Sequence, residues 1–358
     1  MKVAVYTIAL NELKFVKKWY ESAKDADYLL IADTGSTDET VSLAKELGIN
    51  VINIGVKPWR FDDARNASLA ALPLDIDYCI ALDMDEVLIE GWRQELEKAH
   101  KEGWTRPRYQ YTWNWKEDGT PGLQYGGDKI HTRKGYRWKH PVHEVLVTNQ
   151  SNEIQGWIGL EIHHHADDSK SRSQYMPLLQ QAVLEDPSDD RNAFYFAREL
   201  FFHNQKERAI QEFERHLSLP KAKWPPERAA SMRYLAKLMD DSREREEWLK
   251  RSIREAPNRR EGFVELAEFY HEQRRWEECL LAAENALSIT EKPLEYLCEE
   301  FAWGYMPYDF AALAAHNLGN SEKALTYGTK AVELNPDELR LQSNLAFYSR
   351  ETLDGNNL

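Results

Sequence analysis

The sequence predicts an α/β domain on a parallel sheet, followed by an all-α domain of helical repeats. Three observations carry this. Short β-rich runs alternate with helical stretches up to about residue 166, the β-branched runs then stop, and small residues recur at the distances of stacked helix pairs. The seam is expected at 168/169, giving domains of residues 1–168 and 169–358.

The elements follow in order. Val3 to Ile8 reads as a strand, then a helix from Glu12, a strand from Tyr28 to Ala32, a helix from Asp38, a strand from Val51 to Ile54, a helix from Asp62 and a strand from Tyr78 to Leu82. Strands separated by helices of this length make βαβ units, whose ligands lie at the carboxyl ends of the strands. In the second half, Phe196-Ala197, Leu235-Ala236, Leu266-Ala267 and Ala311-Ala312 stand 39, 31 and 45 residues apart, with an insertion near Glu291 to Trp303. Phe263, Leu266, Ala267, Tyr270, Ala283 and Ala286, then Gly319, Ala324, Tyr327, Ala331 and Pro336, are similar in spacing to tetratricopeptide repeats. Small residues there let two antiparallel helices approach while large ones fill the groove between repeats. An irregular helical bundle is the plain alternative. Asp337 to Tyr348 reads as a capping helix.

Lys+Arg 46 against Asp+Glu 60 leaves a net charge of −14, which disfavours a protein that coats nucleic acid by neutralising phosphates. The three cysteines, Cys79, Cys279 and Cys298, are too few and too scattered for a disulfide framework or a four-thiolate zinc site, so a reducing, cytoplasmic setting is expected. Met1 to Leu10 reads as a strand rather than a leader, and no apolar run of about 18 residues or more is present to span a membrane.

The chemistry concentrates at strand ends. Tyr78-Cys-Ile-Ala-Leu-Asp83-Met-Asp85-Glu86 is an apolar strand ending in acids two apart, and strand alternation would aim Asp83 and Asp85 the same way. Two like charges so placed repel unless a divalent cation relieves them, and oxygen ligands favour Mg2+ or Mn2+. Upstream, Asp33-Thr-Gly35-Ser36-Thr37-Asp38 is a turn into a helix capped by Ser36 or Thr37, and the first strand ends at Asn11-Glu12. A solvated turn or simple cap explains each stretch singly, but not the recurrence of acids at three strand ends.

Taken with Ala64-Arg65-Asn66-Ala67, these stretches resemble glycosyltransferase family 2, whose GT-A fold binds nucleotide sugars. The resemblance implies that Asn11, Glu12, Asp33, Asp38, Arg65, Asn66 and Asp83 contact the nucleotide-sugar donor and that Asp83 and Asp85 bind a diphosphate-bound Mn2+ or Mg2+. Where many members carry two adjacent acids this chain has Asp33-Thr34. The resemblance covers about the first 100 residues, and with the repeats behind it the chain is similar to bacterial and phage-type glycosyltransferases with such a tail, including S-glycosyltransferases of glycopeptide bacteriocins. It suggests a UDP-sugar and inversion.

Leu160 to His165 reads as a strand on which His163 and His165 share one face and His164 the other. The resemblance favours His164, two residues before Ala166, as a third metal ligand, with His163 as a further candidate; a zinc site from His140, His143 and this cluster is a separate option. Trp104 to Lys139 is rich in aromatic residues and holds eight basic and three acidic residues, a net of +5. Aromatic faces stack on sugars or bases, although core packing competes. His140-Pro-Val-His143-Glu144 supplies the expected general base, Glu144, with His143 orienting it or touching the leaving diphosphate; Asp128 is the alternative base.

The function expected is therefore metal-dependent transfer of a sugar from a nucleoside-diphosphate sugar to a glycan, peptide or nucleobase, the repeats presenting the acceptor or pairing two chains into a homodimer. The competing readings are a repeat scaffold with a degenerate transferase domain, and a sugar nucleotidyltransferase.

Overall fold

A computed structural model describes residues 1–149, 151–167 and 173–355, with side chains through residue 350. The chain divides into two compact units, Met1–Glu185 and Asp186–Leu358.

The first unit opens with β1 (Val3–Ala9), α1 (Leu13–Ala23), β2 (Tyr28–Asp33), α2 (Thr40–Glu46), β3 (Asn50–Asn53), α3 (Phe61–Ala70) and β4 (Tyr78–Ala81). Apolar, β-branched residues make β1 and β2 buried on both faces, as a parallel sheet covered by helices requires. In α1, Val16, Trp19 and Ala23 fall on one buried stripe, and the Trp19 indole donates to the Leu82 carbonyl at 3.0 Å. The helix expected from Asp38 begins at Thr40, and neither Ser36 nor Thr37 caps it: the Asp38 carboxylate accepts from the Thr40 amide at 3.0 Å.

Next come β5 (Glu86–Leu88), α4 (Trp92–Glu102), β6 (Arg106–Thr112), β7 (Gln124–Gly127), β8 (Ile130–Thr132), β9 (Tyr136–Lys139), β10 (Val145–Thr148), β11 (Gln155–His164) and α5 (Tyr175–Glu185). One sheet runs β3-β2-β1-β4-β8, parallel except for β8, and a second runs β5-β11-β6-β7. β11 lies antiparallel to β5, with His164 opposite Glu86, and parallel to β6. β9 and β10 form a separate antiparallel ribbon whose loop is His140 to Glu144. The first sheet thus carries its last acids directly into the first strand of the second. α5 belongs to this unit: Tyr175 packs edge-on against Phe61 and His143, and Glu185 pairs with Arg60 at 2.5 Å.

The second unit is a run of helical hairpins: α6 (Asp190–Phe202) with α7 (Lys206–Ser218), α8 (Pro225–Leu238) with α9 (Ser242–Glu255), α10 (Arg260–Glu272) with α11 (Trp276–Ser288), then the short α12 (Glu300–Trp303), α13 (Met306–Asn317) with α14 (Ser321–Leu334), and the closing α15 (Leu339–Gly355). Ala197, Ala236, Ala267 and Ala312 are at most 1% exposed, so the small residues sit where the helices meet. At Gly328 an added Cβ would come within 2.9 Å of the Tyr348 ring, which fixes how closely α14 and α15 approach. This is the tetratricopeptide-like arrangement the spacing predicts.

Candidate active site

The turns after β1 and β2 are knitted to each other. The Asn11 side-chain oxygen accepts from the amides of Thr37 at 2.8 Å and Asp38 at 3.3 Å, and Ser36 Oγ accepts from the Asn11 amide at 2.9 Å. Asn11 takes a left-handed conformation (φ 56°) that an asparagine tolerates better than most residues. Asp33, 4% exposed, folds back to accept from the amides of Gly35 and Ser36 at 3.0 and 3.1 Å, and the Glu12 amide donates to Thr40 Oγ1 at 2.8 Å. Asn11, Glu12, Asp33 and Asp38 therefore come together at the carboxyl end of the sheet, where they shape the loops.

A buried ionic cluster lies beside them. Arg65 projects from α3 between two carboxylates: its Nη2 is 2.7 Å from Asp83 Oδ1 and its Nε is paired with Glu144 Oε1. The guanidinium also lies over the Trp138 ring, 5.0 Å from its centroid. Lys129 approaches from the other side, its Nζ 2.6 Å from Asp83 Oδ2 and 2.8 Å from Glu86 Oε1. Glu86 in turn accepts from the Asp83 amide at 2.8 Å and the Tyr111 hydroxyl at 2.6 Å. Burial opposes ionisation of Asp83, yet Arg65 and Lys129 outweigh it and hold the carboxyl below its ordinary range. For Glu86 burial wins and its proton affinity rises.

Asp83 and Asp85 do not share a strand face. β4 ends at Ala81, and residues 83–86 form a turn closed by the Glu86 amide donating to the Asp83 carbonyl at 2.9 Å. The turn sends Asp83 to Arg65 and Lys129 but sends Asp85 to His164, with Asp85 Oδ2 3.4 Å from His164 Nε2. His164 Nδ1 lies 2.8 Å from the Trp113 carbonyl. A carbonyl there requires a proton on Nδ1, and although burial opposes it Asp85 raises the ring's proton affinity, so His164 meets Asp85 as a donor from Nε2 and would hold a cation only on giving up that proton. His163 is on the other face, 3.1 Å from Glu161 and edge-on to Trp115 at 4.8 Å, so the expected ligands Asp83, Asp85, His163 and His164 do not gather around one point. Among the described residues no three His, Cys, Asp or Glu side chains form a metal-sized group. What the donor set does offer is one carboxylate oxygen and one imidazole nitrogen, a mixed pair that would suit Mn2+ better than the oxygen-selecting Mg2+.

The loop between β9 and β10 reaches the cluster through α3. Pro141 accepts from the Phe61 amide at 3.0 Å, and the Asn66 side chain both donates to the Trp138 carbonyl and accepts from its amide, at 2.9 and 2.8 Å. Asn66 is thus committed to the ribbon and not turned toward a donor. His140 and His143 both have positive φ, 85° and 50°, so this loop is backbone-strained. Glu144 stands beside Arg65, and its Oε1 is engaged there; His143 packs on Tyr175. Asp128, the alternative base, pairs with Arg106 at 2.8 Å.

Part of the basic segment's charge turns inward, while Lys116, Lys134 and Arg137 stay exposed. Arg106 meets Asp128 and Glu153, Arg108 donates to the Gly126 carbonyl at 2.9 Å, and Arg133 donates to the carbonyls of Leu72 and Pro73. Lys129, Glu86 and Tyr111 escaped the sequence reading. Only Glu86 carried a signal, as the third acid of the 83–86 run.

The family model described as Glycosyl transferase family 2 matches residues 4–143. An uncharacterized glycosyltransferase of Rickettsia felis is 31% identical over 97 residues, 27% of this chain and 33% of the relative. A TPR repeat-containing protein of Synechococcus elongatus is 28% identical over 179 residues, 46% of this chain and 42% of that one. The chain thus spans about a third of the length of the first of these relatives and under half of the second. Among solved structures, Pseudomonas aeruginosa pilF is 16% identical with a TM-score of 0.39, covering 48% of this chain and 72% of its own. The part of the chain that carries the Asp83–Asp85 turn is thus similar to glycosyltransferase family 2.

Proposed function

We propose that the chain transfers a sugar from a nucleoside-diphosphate sugar, a UDP-sugar in the first instance, to an acceptor at the turn that carries Asp85, with inversion at the anomeric carbon. The observation that carries this is the Asp85–His164 pair, set at the end of the parallel sheet of a domain similar to glycosyltransferase family 2, with the His164 ring oriented by Trp113. Asp85 and His164 would hold Mn2+ in preference to Mg2+. A cation there supplies Lewis-acid stabilisation of the departing diphosphate.

The chain's own residues do the rest. The paired turns at Asn11–Glu12 and Asp33–Asp38 bound the nucleoside end, since backbone amides and carboxylates converge there. Arg65 is 6% exposed and its Nη1 has no hydrogen-bond partner among the described residues, so a donor is left for the nucleotide or its diphosphate. Lys129 and Arg65 together keep Asp83 ionised and fixed. Glu144 acts through Arg65 and is a positioning residue; the base expected of it is not assigned to it here, because Arg65 already takes its Oε1.

The test is release of nucleoside diphosphate from a panel of nucleotide sugars with Mn2+. Wild type should release UDP from one of them, and Asp85→Ala should lower the rate by about a thousandfold or more while the thermal transition stays put. Full activity of Asp85→Ala would overturn the assignment, and release of pyrophosphate instead of nucleoside diphosphate would point to nucleotidyl transfer.

A further inference from the structure

A chain of buried polar side chains runs through the sheet unit to the ring on which Arg65 lies. Tyr6 of β1, His131 of β8 and Trp138 of β9 are at most 3% exposed. His131 Nδ1 is 2.8 Å from the Thr132 carbonyl, which only accepts, so that nitrogen carries a proton. Burial pushes the imidazole down from 6.5 to about 4 and pushes the Tyr6 hydroxyl up, so both stay neutral and His131 Nε2 is left as an acceptor. The Tyr6 hydroxyl, 3.2 Å away, donates to it and accepts in turn from the Trp138 indole N–H at 2.9 Å. One arrangement of protons satisfies every member.

Packing alone does not ask for this chain, since phenylalanine would fill the place of Tyr6 with no polar atom to satisfy. What the chain does is hold the indole. Trp138 is pinned at its backbone by Asn66, the neighbour of Arg65 on α3, and at its ring nitrogen by Tyr6. The Arg65 guanidinium lies over that ring, 5.0 Å from its centroid. Asp83 and Glu144 grip the guanidinium at Nη2 and Nε, which fixes two of its nitrogens and leaves its plane free to tilt about the line through them. An indole face held still sets that tilt, and with it the direction of Nη1, which has no hydrogen-bond partner among the described residues.

We propose that Tyr6 is a positioning residue: through the Trp138 indole it sets the plane of Arg65 and so the aim of Nη1. This rests on the transfer reading, which gives Nη1 to the nucleotide or its diphosphate. The experiment is heteronuclear NMR of the Arg65 Nε–H in the full chain without ligand, beside a calorimetric titration of UDP with Mn2+. The Arg65 signal is identified by its loss in Arg65→Lys, and in wild type the indole ring current should displace it. In Tyr6→Phe it should move toward the ordinary arginine position and exchange with water about tenfold faster or more. Trp138→Phe keeps an aromatic face but has no N–H for Tyr6; it should do the same, and it carries the test should Tyr6→Phe fail to fold. UDP affinity should fall about fivefold in Tyr6→Phe and not at all when that change is added to Arg65→Lys, whereas a drop in melting temperature should appear in both backgrounds. An Arg65 signal that neither substitution moves, or the same affinity loss with and without Arg65, would overturn the proposal. If Tyr6→Phe moves the Arg65 signal while wild type itself binds no UDP, the link from Tyr6 to Arg65 stands and the donor reading falls.

Discussion

Both units bury an arginine between two acids, and the two clusters end differently. In the helical unit Arg233, 4% exposed, has its Nε 3.1 Å from Glu265, its Nη2 paired with Glu299, and Phe301 over its guanidinium. Glu299 and Phe301 come from the insertion after α11, which Glu261 fastens by accepting from the Glu299 amide at 3.0 Å and the Trp303 indole at 3.2 Å. The chain thus completes that cluster with its own segment. In the sheet unit Arg65 lies between Asp83 and Glu144, and the next acid, Asp85, faces a histidine. Each arginine keeps one nitrogen without a hydrogen bond among the described residues, Nη1 of Arg65 and Nε of Arg233, so an orphaned donor alone does not mark a site. What differs is place: the sheet cluster lies at the carboxyl ends of parallel strands, where ligands of such sheets bind.

The largest effect that would sharpen this contrast is on stability. Arg233→Met leaves buried Glu265 with Lys237 as its one remaining cation and half-buried Glu299 without its arginine, and should cost about 3 kcal/mol in the helical unit. Denaturation followed by circular dichroism, with limited proteolysis to show which unit opens, should find the helices melting first while UDP binding at 10 °C below the transition survives, about as tight as in wild type. A small shift would mean that the insertion is not held by this arginine.

Lys129→Met should do the reverse. Asp83 and Glu86 lose a shared partner, so donor turnover should fall about tenfold or more with a lesser loss of thermal stability, and Lys129→Arg should recover part of the turnover. Unchanged turnover in Lys129→Met would detach this residue from the site.

A smaller, pH-dependent effect belongs to the helical unit alone. Burial pushes Glu227 up from 4.5 to about 7 and pushes the neighbouring His216 down from 6.5 to about 4. A raised carboxyl contributes stability that is present below its unfolded value and is lost as pH rises through the folded one, whereas a depressed imidazole contributes stability present above its unfolded value and lost as pH falls. Between their ordinary values of 4.5 and 6.5 the two trends oppose, so wild type should be nearly flat there. Glu227→Gln removes one of them, and its helical transition should gain up to about 1.4 kcal/mol per pH unit across that window. A variant as flat as wild type would contradict the pairing.

What the sequence made legible were runs and repeats. β1, β2 and β4 are continuous apolar stretches whose burial leaves little choice, and Ala197, Ala236, Ala267 and Ala312 mark helix contacts by size alone. Alternation also separated His163 from His164 correctly. It failed at Asp83 and Asp85, because alternation holds only while the strand continues, and here a turn begins after Ala81. Lys129 and Tyr111 were not legible because they reach Asp83 and Glu86 from a loop and a strand 46 and 25 residues away, and no local pattern distinguishes a lysine that turns into a site from one in solvent. The same holds for Asn66, whose place in an Ala-Arg-Asn stretch suggested a ligand contact while its partner is the backbone of Trp138.

The most direct measurement is calorimetric titration of UDP into wild type and Asp85→Asn, with and without Mn2+. Wild-type affinity should depend on Mn2+, and the substitution should weaken binding about tenfold or more and abolish that dependence. Equal affinity in the two proteins, with the same response to Mn2+, would contradict the assignment of Asp85 and His164 to the cation.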